Sequence, residues 1–168
     1  WNLFNIMSIK NVKPTKNSGF SQGYFNPKNP EKYAGPLPII YRSSWEYKFM
    51  IWCDINDKVL VWSSEPVEIK YWSRQDSKQR TYYPDFYFKI LKQDGSTQEF
   101  LAEIKPKAQI QKPQIPTKMS KKAIESYKFL AEAYVKNMDK YNAAKQYAEE
   151  RYWKFIVLTE DTIKNGLR

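Results

Sequence analysis

Glu46, Asp85, Glu103 and Lys105 are the residues of this chain whose types and spacing suit metal-assisted chemistry. Asp85 follows a proline in YYPDFYFKI, and Glu103 and Lys105 stand one residue apart in EFLAEIKPK. Side chains on a strand alternate between faces, so Glu103 and Lys105 share one. The KQDGS between the two segments is suited to a three-residue loop of Gln93, Asp94 and Gly95, with glycine at the left-handed position such a loop needs. That loop sets Phe88 opposite Phe100, Phe86 opposite Ala102 and Asp85 opposite Glu103. Apolar side chains then meet on one face and two carboxylates on the other, and like charges held opposite each other destabilise a sheet. A divalent metal between them removes the conflict. With Glu46 from a preceding helix and the Ile104 backbone carbonyl, the donors are hard oxygens suited to Mg²⁺ or Mn²⁺, and a lysine lies beside them. Phosphodiester hydrolysis requires such parts: a metal to generate hydroxide and offset charge, and a cation to orient water or steady the transition state.

The elements around this hairpin must bring Glu46 in. In YRSSWEYKFMIWCDIND the spacing of Trp45, Phe49 and Trp52 predicts a helix with an apolar stripe, and Glu46, Met50 and Cys53 form the row beside it. Glu46 therefore flanks the buried face. Ser43 and Glu46 also fit a capping box, in which the glutamate only satisfies the helix start. Both readings of Glu46 stand at this point. VLVWSSEPVEIKYW reads as one or two short strands, with Pro66 placing the second at an edge or a bulge, and SRQDSKQR as a basic loop. Glu65, just before Pro66, reads as a ligand candidate or as a solvated residue.

After the hairpin, PKAQIQKPQIPTK predicts a proline-broken loop. A helical region follows from about Ser120, with Tyr127, Leu130, Tyr134, Met138, Tyr141 and Ala148 as its core stripe and a possible break at Asn137 to Asp139. WKFIVLTED predicts a short strand and then a terminal helix capped at Thr159. Residues 8–38 are rich in Lys, Asn, Gly and Pro, and residues 1–38 read as an extended arm, with Phe20, Tyr24, Phe25 and Tyr33 as anchors; residues 39–168 form the domain. Helices packed on a sheet give an α/β or α+β class. The WNLFNI before Met7 is too short and lacks the basic flank of a signal peptide, so no export is expected.

The formal charge is +10 and aromatics are 17% of residues, which suggests a polyanion partner. Nucleic acid fits better than a membrane, because no apolar run approaches about 20 residues. Arg42, Arg74, Lys78, Arg80 and Lys107 are the candidate phosphate contacts near the site, with Lys118, Lys121 and Lys122 at the start of the long helix. Read blandly, those last lysines are only a solvated face. With no histidine and a single cysteine, Cys53, thiolate and imidazole zinc sites and Ser-His-Asp or Cys-His nucleophiles are excluded.

The order Glu46, Pro84-Asp85, Glu103-x-Lys105 resembles the PD-(D/E)XK nuclease superfamily. More narrowly, YRSSWE, WSSEPVEIKY, YYPDF, AEIKPK and KFIVLTEDTI resemble the head-completion nucleases of T-even-type tailed phages, relatives of the TnsA-type transposase endonucleases. The likeness runs over roughly residues 26–163. It implies a mixed central sheet flanked by helices and metal-dependent cleavage of double-stranded DNA late in phage head maturation, in the virion at a capsid vertex or neck and in the host cytoplasm during assembly. It also implies that Asp85 and Glu103 hold the metal, that Lys105 positions the attacking water, and that Glu46 completes the acidic cluster. The arm would be the part that meets portal, neck or other head-completion proteins. Two other readings compete: a non-catalytic neck protein using a nuclease-like fold to hold the packaged DNA end, and a plain sequence-independent DNA-binding module.

Overall fold

The computed structural model describes residues 22–165. In chain order these form β1 (Gly23–Tyr24), β2 (Ile40–Tyr41), α1 (Ser44–Ile55), β3 (Val59–Ser64), β4 (Ile69–Ser73), β5 (Lys78–Tyr82), β6 (Phe86–Leu91), β7 (Thr97–Ile104), α2 (Lys107–Ile110), α3 (Lys121–Glu149), β8 (Lys154–Leu158) and α4 (Glu160–Asn165). The central sheet has the order β3-β6-β7-β8. Its first two pairings are antiparallel, while β7 and β8 run parallel. A parallel neighbour requires a crossover, and the segment containing α2 and α3 supplies it.

The β6–β7 hairpin takes the register that its turn predicts, with Phe86 opposite Ala102 and Phe88 opposite Phe100. Lys92 N–H donates to the Ser96 carbonyl at 2.8 Å to close a loop of Gln93, Asp94 and Gly95. Gly95 has φ +79°, a conformation costly for any residue with a Cβ. Asp85, expected on the strand, stands instead in the bend before it. Its carbonyl accepts from the Glu65 N–H at 2.9 Å, and strand pairing with β7 begins at Phe86.

The sheet buries both faces. On one, Phe49, Met50 and Cys53 of α1 pack with Trp62, Phe86, Phe88, Ala102 and Ile104. Full burial of a side chain such as Phe49 stabilises the fold by about 1.5–3 kcal/mol. The predicted stripe is rotated toward the row that contains Glu46: Met50 and Cys53 are fully buried, while Trp45 and Trp52 are only partly covered. On the other face, Ala144 and Ala148 of α3 pack against Leu101 and Tyr87, together with Ile69, Tyr71 and Tyr82 of the β4–β5 ribbon. Alanine at these helix positions permits close approach to the sheet.

Two expectations change. The segment read as a basic loop contributes β5, which pairs with β4 from Ser73 opposite Lys78 to Ile69 opposite Tyr82. The apolar alternation of β4 finds its partner there, because β5 offers a matching edge. The long helix does not break at Asn137 to Asp139. Both polar side chains have tertiary partners: Asn137 Nδ2 donates to the Gln109 carbonyl at 3.2 Å, and Asp139 accepts from the Arg74 N–H at 2.9 Å and its Nε at 2.5 Å. Satisfied in this way, they can stay buried within one helix.

The described part of the arm lies on its own domain. Phe25 is buried in the α1 core and Tyr33 packs edge-on against Trp62, whereas Tyr24 is exposed. Buried Asp54 accepts from the Lys28 and Asn29 N–H groups at 2.7 and 2.9 Å. Lys32 Nζ donates to the Asp54 and Asn56 carbonyls at the C-terminal end of α1, where a cation complements the helix dipole. Phe20 lies outside the described residues.

Candidate active site

Glu103, near the end of β7, is 2% exposed, and both of its carboxylate oxygens are engaged. Lys105 Nζ stands 3.0 Å from Oε1, and the Tyr82 hydroxyl donates to Oε2 at 2.7 Å. The two-residue strand period brings Lys105 to the same side as Glu103. Across the hairpin, Asp85 Oδ2 accepts the Ile104 N–H at 2.7 Å, which ties the bend to the backbone between Glu103 and Lys105. Asp85, Glu103 and Lys105 thus converge, as their spacing predicts.

Burial and charge together set the protonation behaviour of the site. Burial pushes the Asp85 carboxyl well above the usual carboxylate range, and Glu103 pushes it further; Lys105 and the Ile104 N–H oppose them. Burial alone would lower Lys105, yet Glu103 and Asp85 outweigh it and hold the ammonium above its ordinary range. Tyr82 is driven strongly upward, first by burial and then by Glu103, so its phenol stays protonated and donates.

Glu46 is placed differently from its neighbours. Its Oε2 accepts the Arg42 N–H at 2.7 Å and its Oε1 accepts the Ser43 hydroxyl at 3.0 Å, while Ser43 Oγ receives the Glu46 N–H at 3.1 Å. A variant of the capping box therefore forms, in which the carboxylate takes the Arg42 N–H in place of the Ser43 N–H. Glu46 still lies within electrostatic reach of the site: burial raises its carboxyl, while Lys105 is among the groups that lower it. Among the described residues no three His, Cys, Asp or Glu side chains come together as a metal-holding group. With Glu46 turned to its helix, the converging acids are the pair Asp85 and Glu103.

Residues 56–160 match the family model described as TnsA-like endonuclease N terminal, a match that spans the hairpin, the long helix and β8. The chain belongs to the TnsA-like endonuclease family. Its mixed sheet with flanking helices is the PD-(D/E)XK-like architecture of that family. Among curated proteins, the head completion nuclease of Enterobacteria phage T4 is 41% identical over 145 residues, covering 84% of this chain and 93% of that protein. No solved structure matches the chain.

In this member of the TnsA-like family, several candidate phosphate contacts are paired with acids. Arg42 makes a two-pronged contact with Glu65, at 2.7 and 3.4 Å. Arg74 holds Asp139, Arg80 holds Asp76, and Lys107 holds Asp161 at 2.9 Å. Lys78, Lys118, Lys121 and Lys122 are exposed. Glu65 is paired with Arg42 rather than simply solvated, and its φ of +46° is a left-handed conformation beside the Asp85 bend.

The residues that sequence reasoning missed are Tyr82 and Lys140. Lys140 of α3 places its Nζ 5.1 Å from the centre of the Tyr82 ring. Tyr82 carried a usable signal, since it lies on the strand leading into Pro84-Asp85. Lys140 carried none, because only the tertiary placement of α3 brings it to the site.

Proposed function

We propose that this chain is a Mg²⁺- or Mn²⁺-dependent deoxyribonuclease that hydrolyses phosphodiester bonds of viral DNA in phage head completion. The observation that carries the reading is the buried Asp85–Glu103 pair with Lys105 3.0 Å from Glu103. The donors fit a hard divalent cation: Glu103 and Asp85 press like charge on one another, and that repulsion helps to raise the Asp85 carboxyl. Asp85, Glu103 and the Ile104 carbonyl would hold the metal. When bound, it would supply an activated water and offset the charge that grows on the phosphate.

The chain's own residues do the rest. Lys105, kept protonated by the two acids, presents a cation where the water and phosphate oxygens meet. Tyr82 fixes the orientation of Glu103 through its hydrogen bond. Glu46 is the remaining acid near the pair, and its capping contacts must yield for it to join them at a metal. Hydrolysis places the water oxygen on phosphorus, breaks one P–O ester bond and leaves the proton on the departing oxygen.

Double-stranded DNA is the partner, through the net charge and the exposed Lys78, Lys118, Lys121 and Lys122. Portal or neck proteins are assigned to the arm, and the working place to the capsid vertex or neck after assembly in the host cytoplasm. Incubation of purified protein with linear and supercoiled DNA, with Mg²⁺, Mn²⁺ or EDTA, tests the reading. Cleavage in either metal and none in EDTA is expected. Stable attachment to particles without cleavage in any metal would favour the structural neck-protein reading instead.

A further inference from the structure

Lys140 is half-buried, yet among the described residues its ammonium has no ion pair or hydrogen bond; its one close contact is the Tyr82 ring. Glu103 attracts it without pairing with it, and the two oxygens of Glu103 already hold Lys105 and Tyr82. Its ammonium lies over the ring whose hydroxyl holds Glu103, which places Lys140 at the edge of the site; burial lowers its basicity, Glu103 and Asp85 oppose that effect, and Lys105 and Lys136 add to it. The next residue, Tyr141, is 7% exposed and its hydroxyl is buried without a hydrogen-bond partner among the described residues. This turn of α3 thus brings two polar groups to the edge of the carboxylate pair, one a cation and one a hydroxyl donor, and leaves both unsatisfied. A partly desolvated cation with no ion pair or hydrogen bond is a cost to the resting fold. An arriving anion offsets it.

Helical spacing extends the feature. Lys136 stands one turn before Lys140, and Lys122 falls on the same side of the helix, 18 residues before Lys140 by numbering, with exposed Phe129 between them. At about 1.5 Å per residue, that line runs about 27 Å outward from the site. No residue of α3 before Asn137 is buried, so this face is open along most of its length.

We propose that Lys140 binds the phosphate at which Asp85 and Glu103 act, and that Lys136 binds an adjoining one, so that α3 forms the wall along which the cut strand lies. This inference rests on the nuclease reading above. It adds a substrate contact from an element that neither the acidic cluster nor the basic ribbon includes.

Lys140→Met tests it by keeping the stem over Tyr82 and removing the charge, and Lys140→Arg restores the charge. Three measurements are made on the full chain: single-turnover cleavage of a DNA duplex with Mg²⁺, binding of the same duplex in EDTA across a salt series, and melting temperature. Lys140→Met is expected to melt like wild type, to cleave about 100-fold more slowly, and to lose about one from the slope of log affinity against log salt. Lys140→Arg is expected to recover most of both. A slower Lys140→Met with an unchanged salt slope would mean that the cation acts through Tyr82 and Glu103, which overturns the proposal, as would wild-type rate and binding. If wild type cleaves in no metal, the nuclease reading fails, while the salt slope alone still decides whether Lys140 holds a phosphate.

Discussion

Tyr82 and Glu103 belong to different sheets, and a buried 2.7 Å hydrogen bond joins them. The β4–β5 ribbon is therefore tied to the carboxylate at the centre of the site, and its position sets which way Glu103 faces.

Tyr82→Phe keeps the ring and removes the donor. The orphaned buried carboxylate oxygen should cost about 1–3 kcal/mol of stability in EDTA, read by denaturant or thermal unfolding. Mg²⁺ that binds only the folded state restores part of the loss by mass action. A Tyr82→Phe protein that Mg²⁺ does not stabilise at all, beside a wild type that it does, would show that the Tyr82–Glu103 contact is needed for metal binding.

The pH dependence of stability follows from Asp85. Its folded carboxyl titrates above its unfolded value, so the folded state binds the extra proton between those two values. Without metal, stability should thus fall as pH rises through that window, the reverse of an acid held in a salt bridge. Asp85→Asn should flatten this fall in melting experiments from about pH 4 upward in EDTA.

The fold and half of the site were legible in the sequence. The hairpin register followed from the turn at Gly95, a local constraint. The convergence of Asp85, Glu103 and Lys105 followed from strand period and register together. The β4–β5 pairing was not legible, because the polar composition of SRQDSKQR reads as loop until β4 gives it a partner. The continuity of α3 through Asn137 and Asp139 depends on Gln109 and Arg74, which are distant in sequence. Lys140 entered the site for the same reason: helix docking is a tertiary fact.

Glu46 carries two separable roles. Glu46→Gln keeps an acceptor for the Arg42 N–H, and its amide NH2 can donate to the Ser43 hydroxyl oxygen, so the melting temperature should fall only slightly, while loss of the charge should slow cleavage about 100-fold if Glu46 is the third acid. Glu46→Ala should also cost about 1 kcal/mol of stability through the lost cap. A Glu46→Gln protein that cleaves like wild type would leave Glu46 as a cap alone.

Glu65 poses a contest of small terms. Its left-handed backbone costs about 1–2 kcal/mol. Its pair with Arg42 is partly exposed and contributes about 0.2–1 kcal/mol. Glu65→Gly relieves the first, loses the second and adds about 0.5–1 kcal/mol of chain entropy. Stability should therefore hold within about 1 kcal/mol, while duplex affinity at low salt rises because Arg42 is released and a negative charge is gone. Weaker binding would show that the pair orients Arg42 for DNA rather than occupying it.

The proposed hydrolytic site consists of Asp85, Glu103 and Lys105. Cleavage of a linear duplex with Mg²⁺ by wild type, Asp85→Ala and Lys105→Ala, each shown by circular dichroism to be folded, tests it most directly. Cutting by wild type and a loss of about 100-fold or more in each variant is expected; equal cutting by all three would rule out a hydrolytic site at these residues.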